Sequence, residues 1–360
     1  MNKKVVLYSN CLLVKGANRS VICDVQLQTI HYIPNSLYEL LKEHSGKSVD
    51  DIKQSYDNKF NDVIDAYFKF LEDKEIIFYT NTPERFPSMN LDWHYPHKVS
   101  NVILDYNNSS NYDIKHVLKE LEELRCKNVQ LRFFSAINKE FVISILQYIK
   151  DLKSIITSIE LIVKNSEWTS SEEIKELFLK YPRLSAFNIH SAEENEIISY
   201  GNKFIVYTQQ VINSEAHCGI ISMNYFAINL KTFTESKQHN SCLNRKISID
   251  TNGNIKNCPS MNKIYGSIKN TKLKNVIDDS SFQEVWNINK DQIDVCKDCE
   301  FRYICTDCRA YLEKPEDTYS KPLKCGYNPY TNEWEEWSTN KLKNKAKEFY
   351  GLTDLSKEQD

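Results

Sequence analysis

The spacing of hydrophobic and polar residues changes along the chain. Residues 4–33 carry short alternating runs, including CLLV and SVIC, which predict strands joined by a hairpin turn at 15–18. Residues 36–44, 49–56 and 60–76 have helical spacing, and IIFY predicts a closing strand. A small sheet with three helices predicts a winged-helix-like domain over 1–82.

The predicted helices carry start signals. Asn35 or Ser36 is expected to cap the first helix, and Ser48 the second, with Asp51 in the capping-box position. The third helix is expected to bury one apolar face. This face is formed by Phe60, Val63, Ile64, Tyr67, Phe68 and Leu71.

Residues 83–97 contain three prolines and predict a linker. Between 98 and 235, strand and helix patterns alternate, and the predicted strands are SNVILDY, VQLRFFS, SIELIV, SAFNIH and KFIVYTQ. This alternation predicts a parallel sheet or part of a (β/α) barrel. The expected fold class is therefore α/β.

Composition argues against several classes of function. The net charge is −3, and residues 39–75 hold ten acidic residues against six lysines, so no nucleic-acid partner is expected. No run of 18 apolar residues is present, and no membrane association is expected. None of the eight glycines lies between Gly46 and Gly201, which argues against a phosphate-binding loop for ATP or NAD in that stretch.

Seven of the eleven cysteines lie between 242 and 325. Two segments hold most of them: CLNRKISIDTNGNIKNC, from Cys242 to Cys258, and CKDCEFRYICTDC, from Cys296 to Cys308. The N-terminus has no signal-peptide pattern, so we expect a cytoplasmic protein, in which clustered thiols stay reduced and bind metal. Zinc and iron–sulfur clusters both use sets of four thiolates, and the spacing leaves both open.

The cysteine pattern resembles the SPASM domain, the cluster-binding module of many radical SAM peptide maturases. The match falls within 236–338 and departs at Cys305 and Cys308, whose spacing is one residue short. The resemblance implies two auxiliary [4Fe–4S] clusters, and the shorter spacing leaves open which of them Cys308 joins. The implied ligands are Cys242, Cys258 and Cys308 for the first cluster and Cys296, Cys299, Cys305 and Cys325 for the second.

The implied first cluster lacks a fourth thiolate. Family members often have a cysteine shortly before the first motif cysteine, but Ser236 stands there. His239 is the nearest candidate, since an imidazole can replace a thiolate on iron, and an open iron site for a substrate group is the alternative. The remaining cysteines are expected to be ordinary buried side chains: Cys11, Cys23, Cys126 and Cys218.

Residues 1–82 resemble the leader-peptide-binding domain (RiPP recognition element) of peptide-modifying enzymes. The resemblance rests on the order of elements and on the segment IPNSLYELLKEHSGKSVDDIKQSY. It implies that the leader of a precursor peptide adds as a strand to the sheet, beside the third helix. The alternative is a winged helix that serves only as a packing module.

Radical SAM enzymes carry a C-x3-C-x2-C loop after the first barrel strand. Here that loop reads NNSSNYD, and no cysteine occurs between Cys23 and Cys126. The segment FFSAIN, after the second strand, has no glycine to contact SAM. We therefore expect a degenerate, partial radical-SAM-like barrel over 98–235 that does not cleave SAM.

Together these features resemble the SPASM-domain peptide maturase of grasp-with-spasm systems, with 339–360 as a C-terminal helix or tail. The resemblance implies a ribosomal precursor peptide and an ATP-grasp ligase as partners, the ligase supplying the ATP site. No spacing singles out a catalytic acid, base or nucleophile, so both a non-catalytic and a cluster-dependent role stay open. The alternatives are an iron–sulfur electron-transfer partner and a zinc-binding scaffold.

Overall fold

A computed structural model describes residues 3–353, so part of the predicted C-terminal tail, 354–360, lies outside the described residues. The N-terminal region contains, in order, β1 Lys4–Leu7, β2 Cys11–Val14, β3 Ser20–Asp24, β4 Thr29–Ile33, α1 Asn35–Glu43, α2 Val49–Ser55, α3 Asn61–Asp73 and β5 Ile77–Thr80. Its strands form two antiparallel sheets, β1–β5 and β2–β3–β4, rather than one. Strands β2 and β3 pair across the predicted hairpin turn, which is confirmed.

Asn35 has a different role from the predicted cap. Helix α1 begins at Asn35 with Pro34 as its N-cap residue, and no side chain caps it. The Asn35 amide instead donates to the carbonyl oxygens of Gly16 (3.2 Å) and Ala17 (3.1 Å). The prediction that Asn35 or Ser36 caps α1 is wrong, because the Asn35 side chain holds the turn between β2 and β3.

Helices α2 and α3 follow their predicted patterns more closely. The Ser48 hydroxyl accepts from the Asp51 N–H, and the Asp51 carboxylate accepts from the Ser48 N–H, so the predicted capping box is confirmed. Helix α3 buries a narrower face than predicted, because Phe60 and Val63 are exposed. Its buried residues are Ile64, Phe68 and Leu71.

The middle of the chain forms a large, mostly parallel sheet, which confirms the predicted α/β class. Its elements are β6 Asn101–Tyr106, α4 Ile114–Glu123, β7 Asn128–Phe133, α5 Lys139–Asp151, β8 Ser158–Lys164, α6 Ser171–Lys180, β9 Leu184–His190, β10 Glu196–Tyr200 and β11 Lys203–Tyr207. All five predicted strands are present; β10, which pairs antiparallel with β11, was not predicted.

The C-terminal region adds two strands to this sheet. Its elements are α7 Leu230–Gln238, β12 Lys246–Ile249, β13 Ile255–Lys256, α8 Leu273–Ile277, α9 Ser280–Gln283, β14 Tyr327–Asn328, β15 Glu333–Trp334 and α10 Asn344–Phe349. Strand β12 pairs parallel with β6, and β13 pairs antiparallel with β12, giving the order β10-β11-β9-β8-β7-β6-β12-β13. The segment from Cys242 to Cys258 is therefore part of the same sheet as the middle of the chain.

The short 3₁₀ segments lie in the connections. They are Pro83–Arg85, Glu167–Thr169, Glu215–His217, Met223–Tyr225, Glu284–Asn287, Lys290–Gln292, Cys296–Asp298 and Lys341–Lys343. No helix among the described residues is long and apolar enough to cross a membrane.

The two faces of the large sheet differ in polarity. One face is apolar and packs with α4, α5, α6 and α8 into the main core, to which β6 contributes Val102 and Leu104. On the other face, Gln130 and Asn188 donate to the two carboxylate oxygens of Glu160 (2.8 and 2.7 Å). A polar face over several strands favours contacts with polar groups on that side.

A buried ion pair lies on the polar face, where β6 and β7 pair. The Arg132 guanidinium donates two hydrogen bonds to the Asp105 carboxylate, at 2.6 and 2.7 Å, and both side chains are buried. Two parallel hydrogen bonds between a guanidinium and a carboxylate compensate both buried charges without water.

We expect Arg132→Met to lower the free energy of unfolding by about 3–5 kcal/mol, because Asp105 would stay buried without its counter-charge. The double variant Asp105→Leu/Arg132→Met removes both charges and should recover most of that loss. Urea denaturation of the metal-free protein, followed by circular dichroism, measures both effects. Equal destabilisation by the single and double variants would contradict this account.

His190 is buried at the end of β9 and held in one tautomer. Its Nε2–H donates to the Phe133 carbonyl oxygen (3.2 Å), and its Nδ1 accepts from the Ile212 N–H (3.3 Å). Burial lowers the pKa of His190, although the bond to Phe133 raises it.

A depressed histidine pKa contributes stability above the ordinary pKa that is lost as the pH falls. We expect the wild-type protein to lose more stability between pH 7 and 5 than His190→Gln, by about 1 kcal/mol. Urea titrations at both pH values test this. The same pH dependence in both proteins would show that His190 does not cause it.

Candidate metal centre

Four cysteines from four separate segments line one cavity of about 420 Å³. We call them the first cysteine group: Cys218, Cys242, Cys258 and Cys308. Cys218 follows a 3₁₀ turn, Cys242 lies between α7 and β12, and Cys258 follows β13. Gln130, on the polar face of the sheet, also lines this cavity. The pairing of β12 with β6 therefore brings Cys242 and Cys258 to the polar face.

The residues before Cys242 fix its position relative to Cys308. The Asn240 side-chain oxygen accepts from the Cys242 N–H (3.0 Å), and its amide donates to the Asp307 carboxylate (2.6 Å). The Ser241 hydroxyl donates to the Cys305 carbonyl oxygen (3.2 Å) and accepts from the Asp307 N–H (3.2 Å). Asn240 is fully buried, so these hydrogen bonds are shielded from water and hold the two segments together.

Gly219 allows the chain to pass beside a cysteine sulfur. Its φ is +86°, and a Cβ atom at this position would lie 2.9 Å from the Cys308 Sγ. Only glycine combines this backbone conformation with so close an approach. The Cys218–Gly219 loop is thus shaped around the first cysteine group.

The other four motif cysteines form a second cysteine group: Cys296, Cys299, Cys305 and Cys325. Burial raises the thiol pKa values of Cys296, Cys299 and Cys305, and other cysteines of the group raise them further. Val295, immediately before Cys296, has a φ of +66°, a strained conformation for a β-branched residue. Such strain is retained where the surrounding structure fixes the next side chain, here that of Cys296.

A lysine ammonium is buried beside a sulfur in each group. Lys246 Nζ lies 3.2 Å from the Cys242 Sγ, and Lys290 Nζ lies 3.3 Å from the Cys305 Sγ. Burial lowers the pKa of each lysine, but the neighbouring cysteines, together with Asp307 at Lys290, more than offset this and raise it above its usual value. Burial raises the pKa of Cys258 to about 12 and that of Cys308 to about 11.

His239, which the sequence suggests as a ligand, is not among the residues that line this cavity. Its ring packs edge-on against Trp93, with a centroid separation of 5.2 Å, and burial lowers its pKa. The cavity is lined by Cys218 instead. Sequence reasoning missed Cys218 because it lies well upstream of the motif; the Cys–Gly pair in a glycine-poor chain was the available signal.

The donor set fits an iron–sulfur cluster in each group. Every cysteine is a free thiol, and thiolates are the soft ligands that iron–sulfur clusters and zinc prefer. Among residues 3–353, no three His, Cys, Asp or Glu side chains stand close enough to hold one metal ion. In a [4Fe–4S] cluster each thiolate binds a different iron atom, whereas a zinc site gathers its thiolates on one ion.

No protein-family model and no curated protein matches the chain. Two solved structures of SuiB from Streptococcus suis, bound to S-adenosylmethionine or to precursor peptide SuiA, are weakly similar. The first has a TM-score of 0.35 at 9% identity, the second 0.30 at 10%, and each match covers 88% of this chain and 98% of that chain. At such low similarity neither identifies the function of this chain.

We expect Cys218→Ala to lower the iron content after anaerobic reconstitution with iron and sulfide by up to about half, the share of one of two clusters. His239→Ala should leave the iron content unchanged, because its ring packs on Trp93. Cys126→Ala, a buried cysteine outside both groups, is the matched control. Iron loss in His239→Ala with none in Cys218→Ala would make His239 the ligand.

Proposed function

We propose that this chain is a peptide-maturation protein that holds two [4Fe–4S] clusters, one in each cysteine group, and binds a ribosomal precursor peptide through residues 1–82. The observation that carries the proposal is the sorting of eight cysteines into two sets of four. Only two residues lie between Cys305 and Cys308, which belong to different sets, as interleaved cluster ligands require. In this proposal Cys218, rather than His239 or an open iron site, completes the first set.

The buried lysines support metal-bound thiolates in both groups. A buried ammonium needs a counter-charge, and the acceptors of Lys246 and Lys290 include a cysteine sulfur. A neutral thiol is a weak acceptor, whereas a metal-bound thiolate supplies both negative charge and acceptor strength.

A groove on the N-terminal region supports the peptide-binding role. It has a volume of about 580 Å³, and β5 contributes Ile77 and Tyr79 to its walls. Within the described residues β5 pairs with β1 alone, which leaves its other edge for an added strand. Glu72, on α3, and Leu27 also line the groove, so a strand bound there would lie beside the third helix.

The proposal includes a partner enzyme, an ATP-grasp ligase, and a role that does not involve SAM cleavage. An ATP-grasp ligase would act on the precursor that this protein holds, since this chain lacks glycine-rich phosphate loops over 47–200. The loop after β6 contains no thiolate that could bind the SAM cluster, so the protein would act without reductive SAM cleavage.

We expect anaerobically reconstituted protein to contain about eight iron and eight sulfide ions per chain, as two [4Fe–4S] clusters require. Metal analysis, sulfide assay and Mössbauer spectroscopy measure this. Stoichiometric zinc without sulfide would contradict the clusters and favour the zinc-binding scaffold.

Leu27→Asp should weaken binding of a synthetic leader peptide, chosen from short open reading frames that neighbour this gene, by at least about tenfold. The lost burial of a leucine and the added charge each act against binding. Leu27 is 63% exposed, so the fold should tolerate the change. Leu179→Asp, at a site 68% exposed on α6, is the matched control and should bind normally. Fluorescence anisotropy with the full chain measures both.

One observation favours the electron-transfer alternative: the two groups are close together. Only Thr306 and Asp307 lie between Cys305 of the second group and Cys308 of the first. Two clusters so near each other can exchange electrons. Two intact clusters together with no leader binding by the wild-type protein would select this alternative.

A further inference from the structure

The Lys324 side chain is buried and holds the backbone of Cys218. Its ammonium donates to the carbonyl oxygens of Ala216 and Cys218, at 2.8 Å for the latter. The same ammonium lies over the rings of Tyr311 and Trp337, 4.3 and 5.4 Å from their centroids. Because contacts with two aromatic rings restrict where the ammonium can lie, the two carbonyl groups are held at one fixed point.

This contact matters because the segment that carries Cys218, between β11 and α7, consists of 3₁₀ turns and irregular loops. Two further hydrogen bonds tie the segment to distant parts of the chain. The Ile221 N–H donates to the Lys324 carbonyl oxygen, and the Ser260 hydroxyl donates to that of Glu215, each at 3.1 Å. Neither bond involves Cys218, so the Lys324 ammonium is its direct anchor.

The peptide group that Lys324 holds also lies against the first cysteine group. The Cys218 carbonyl belongs to the peptide bond before Gly219, and a Cβ atom on Gly219 would lie 2.9 Å from the Cys308 Sγ. Fixing this peptide group therefore fixes how closely the Cys218 loop approaches Cys308. Residues that hold a metal ligand in place change metal affinity by about 10–100-fold when they are replaced.

The second cysteine group has a corresponding lysine. Lys343 is buried, and its ammonium donates to the carbonyl oxygens of Leu323 and Cys325, both at 2.7 Å. It also pairs with Glu313 at 2.8 Å, and Lys321 lies 3.7 Å from the same carboxylate. Glu313 would therefore keep a cationic neighbour if Lys343 were replaced.

We propose that Lys324 positions Cys218 as a ligand of the first cluster, and that Lys343 positions Cys325 as a ligand of the second. This inference rests on the proposed function, since it requires a cluster in each group. Lys324 directly precedes Cys325, so its place in the sequence points to the second group. Its hydrogen bonds point to the first group, and the two assignments give opposite experimental results.

The test exposes anaerobically reconstituted protein to a ferrous chelator and follows the retained iron and the EPR spectrum of the dithionite-reduced protein over time. Lys324→Met should speed iron loss from one cluster by at least about tenfold, because the Cys218 loop loses its anchor. The EPR signal that survives should match that of Cys218→Ala. Lys343→Met should speed loss of the other cluster, and its surviving signal should match that of Cys325→Ala.

Lys347→Met is the matched control, because Lys347 is also buried and donates to a carbonyl oxygen, that of Ser338, which is not next to a cysteine. Both of its clusters should persist as in the wild-type protein. The double variant Lys324→Met/Cys218→Ala should lose no more iron than Cys218→Ala, because the residue that Lys324 positions is already absent.

Loss of the Cys325-dependent cluster from Lys324→Met, equal loss of both clusters, or wild-type retention of both would overturn the inference and leave the proposed function intact. If Lys324→Met does not fold, Lys343→Met tests the same relation at the second group. Wild-type protein that takes up no cluster would overturn the proposed function as well.

Discussion

Both cysteine groups depend on the parallel pairing of β12 with β6. Four successive residue pairs, from Lys246 opposite Asn101 to Ile249 opposite Leu104, join the C-terminal region to the middle of the chain. Because Cys242 precedes β12 and Cys258 follows β13, this pairing brings both thiols to the polar face of the sheet. Hydrogen bonds from Asn240 to Asp307 and from Ser241 to Cys305 then position the neighbouring Cys308. The Ser241 bond also holds Cys305 of the second group.

The cysteines at this face are surrounded by buried positive charges, and each of these charges needs a partner. A lone buried charge is unstable, so cations near the cysteines must find partners. Arg132 and Lys256 find carboxylates on the sheet itself. Lys246, Lys290 and Lys324 form no ion pair among the described residues, and they donate to sulfur atoms and carbonyl oxygens. The metal-bound thiolates of the proposed clusters would provide negative charge beside these lysines.

The sequence predicted the features that depend on local spacing. Strand–helix alternation, the β2–β3 hairpin and the Ser48 capping box are set by neighbouring residues, and the structure contains all three. Asn35 was misassigned because its partners, Gly16 and Ala17, lie in a turn distant in sequence. Cys218 was missed for the same reason, since its neighbours in space come from three other segments. Strand β12 was missed because four residues carry too little periodicity without β6 beside them.

The N-terminal region and the second cysteine group share one hydrophobic core. Val21 and Cys23 of β3 pack in the same cluster as Phe301, Cys305 and Cys325.

The turn before β3 makes polar contacts with residues that neighbour the second cysteine group in sequence. The Ala17 N–H donates to the Asp298 carbonyl oxygen (2.8 Å), and Arg19 pairs with the buried Glu300 beside Cys299. Asn35 of α1 holds this turn from the other side. Side chains in a close-packed core cannot move independently. If a peptide adds as a strand to the N-terminal region, as proposed above, it would be connected by contiguous packing to the cysteines of the second group.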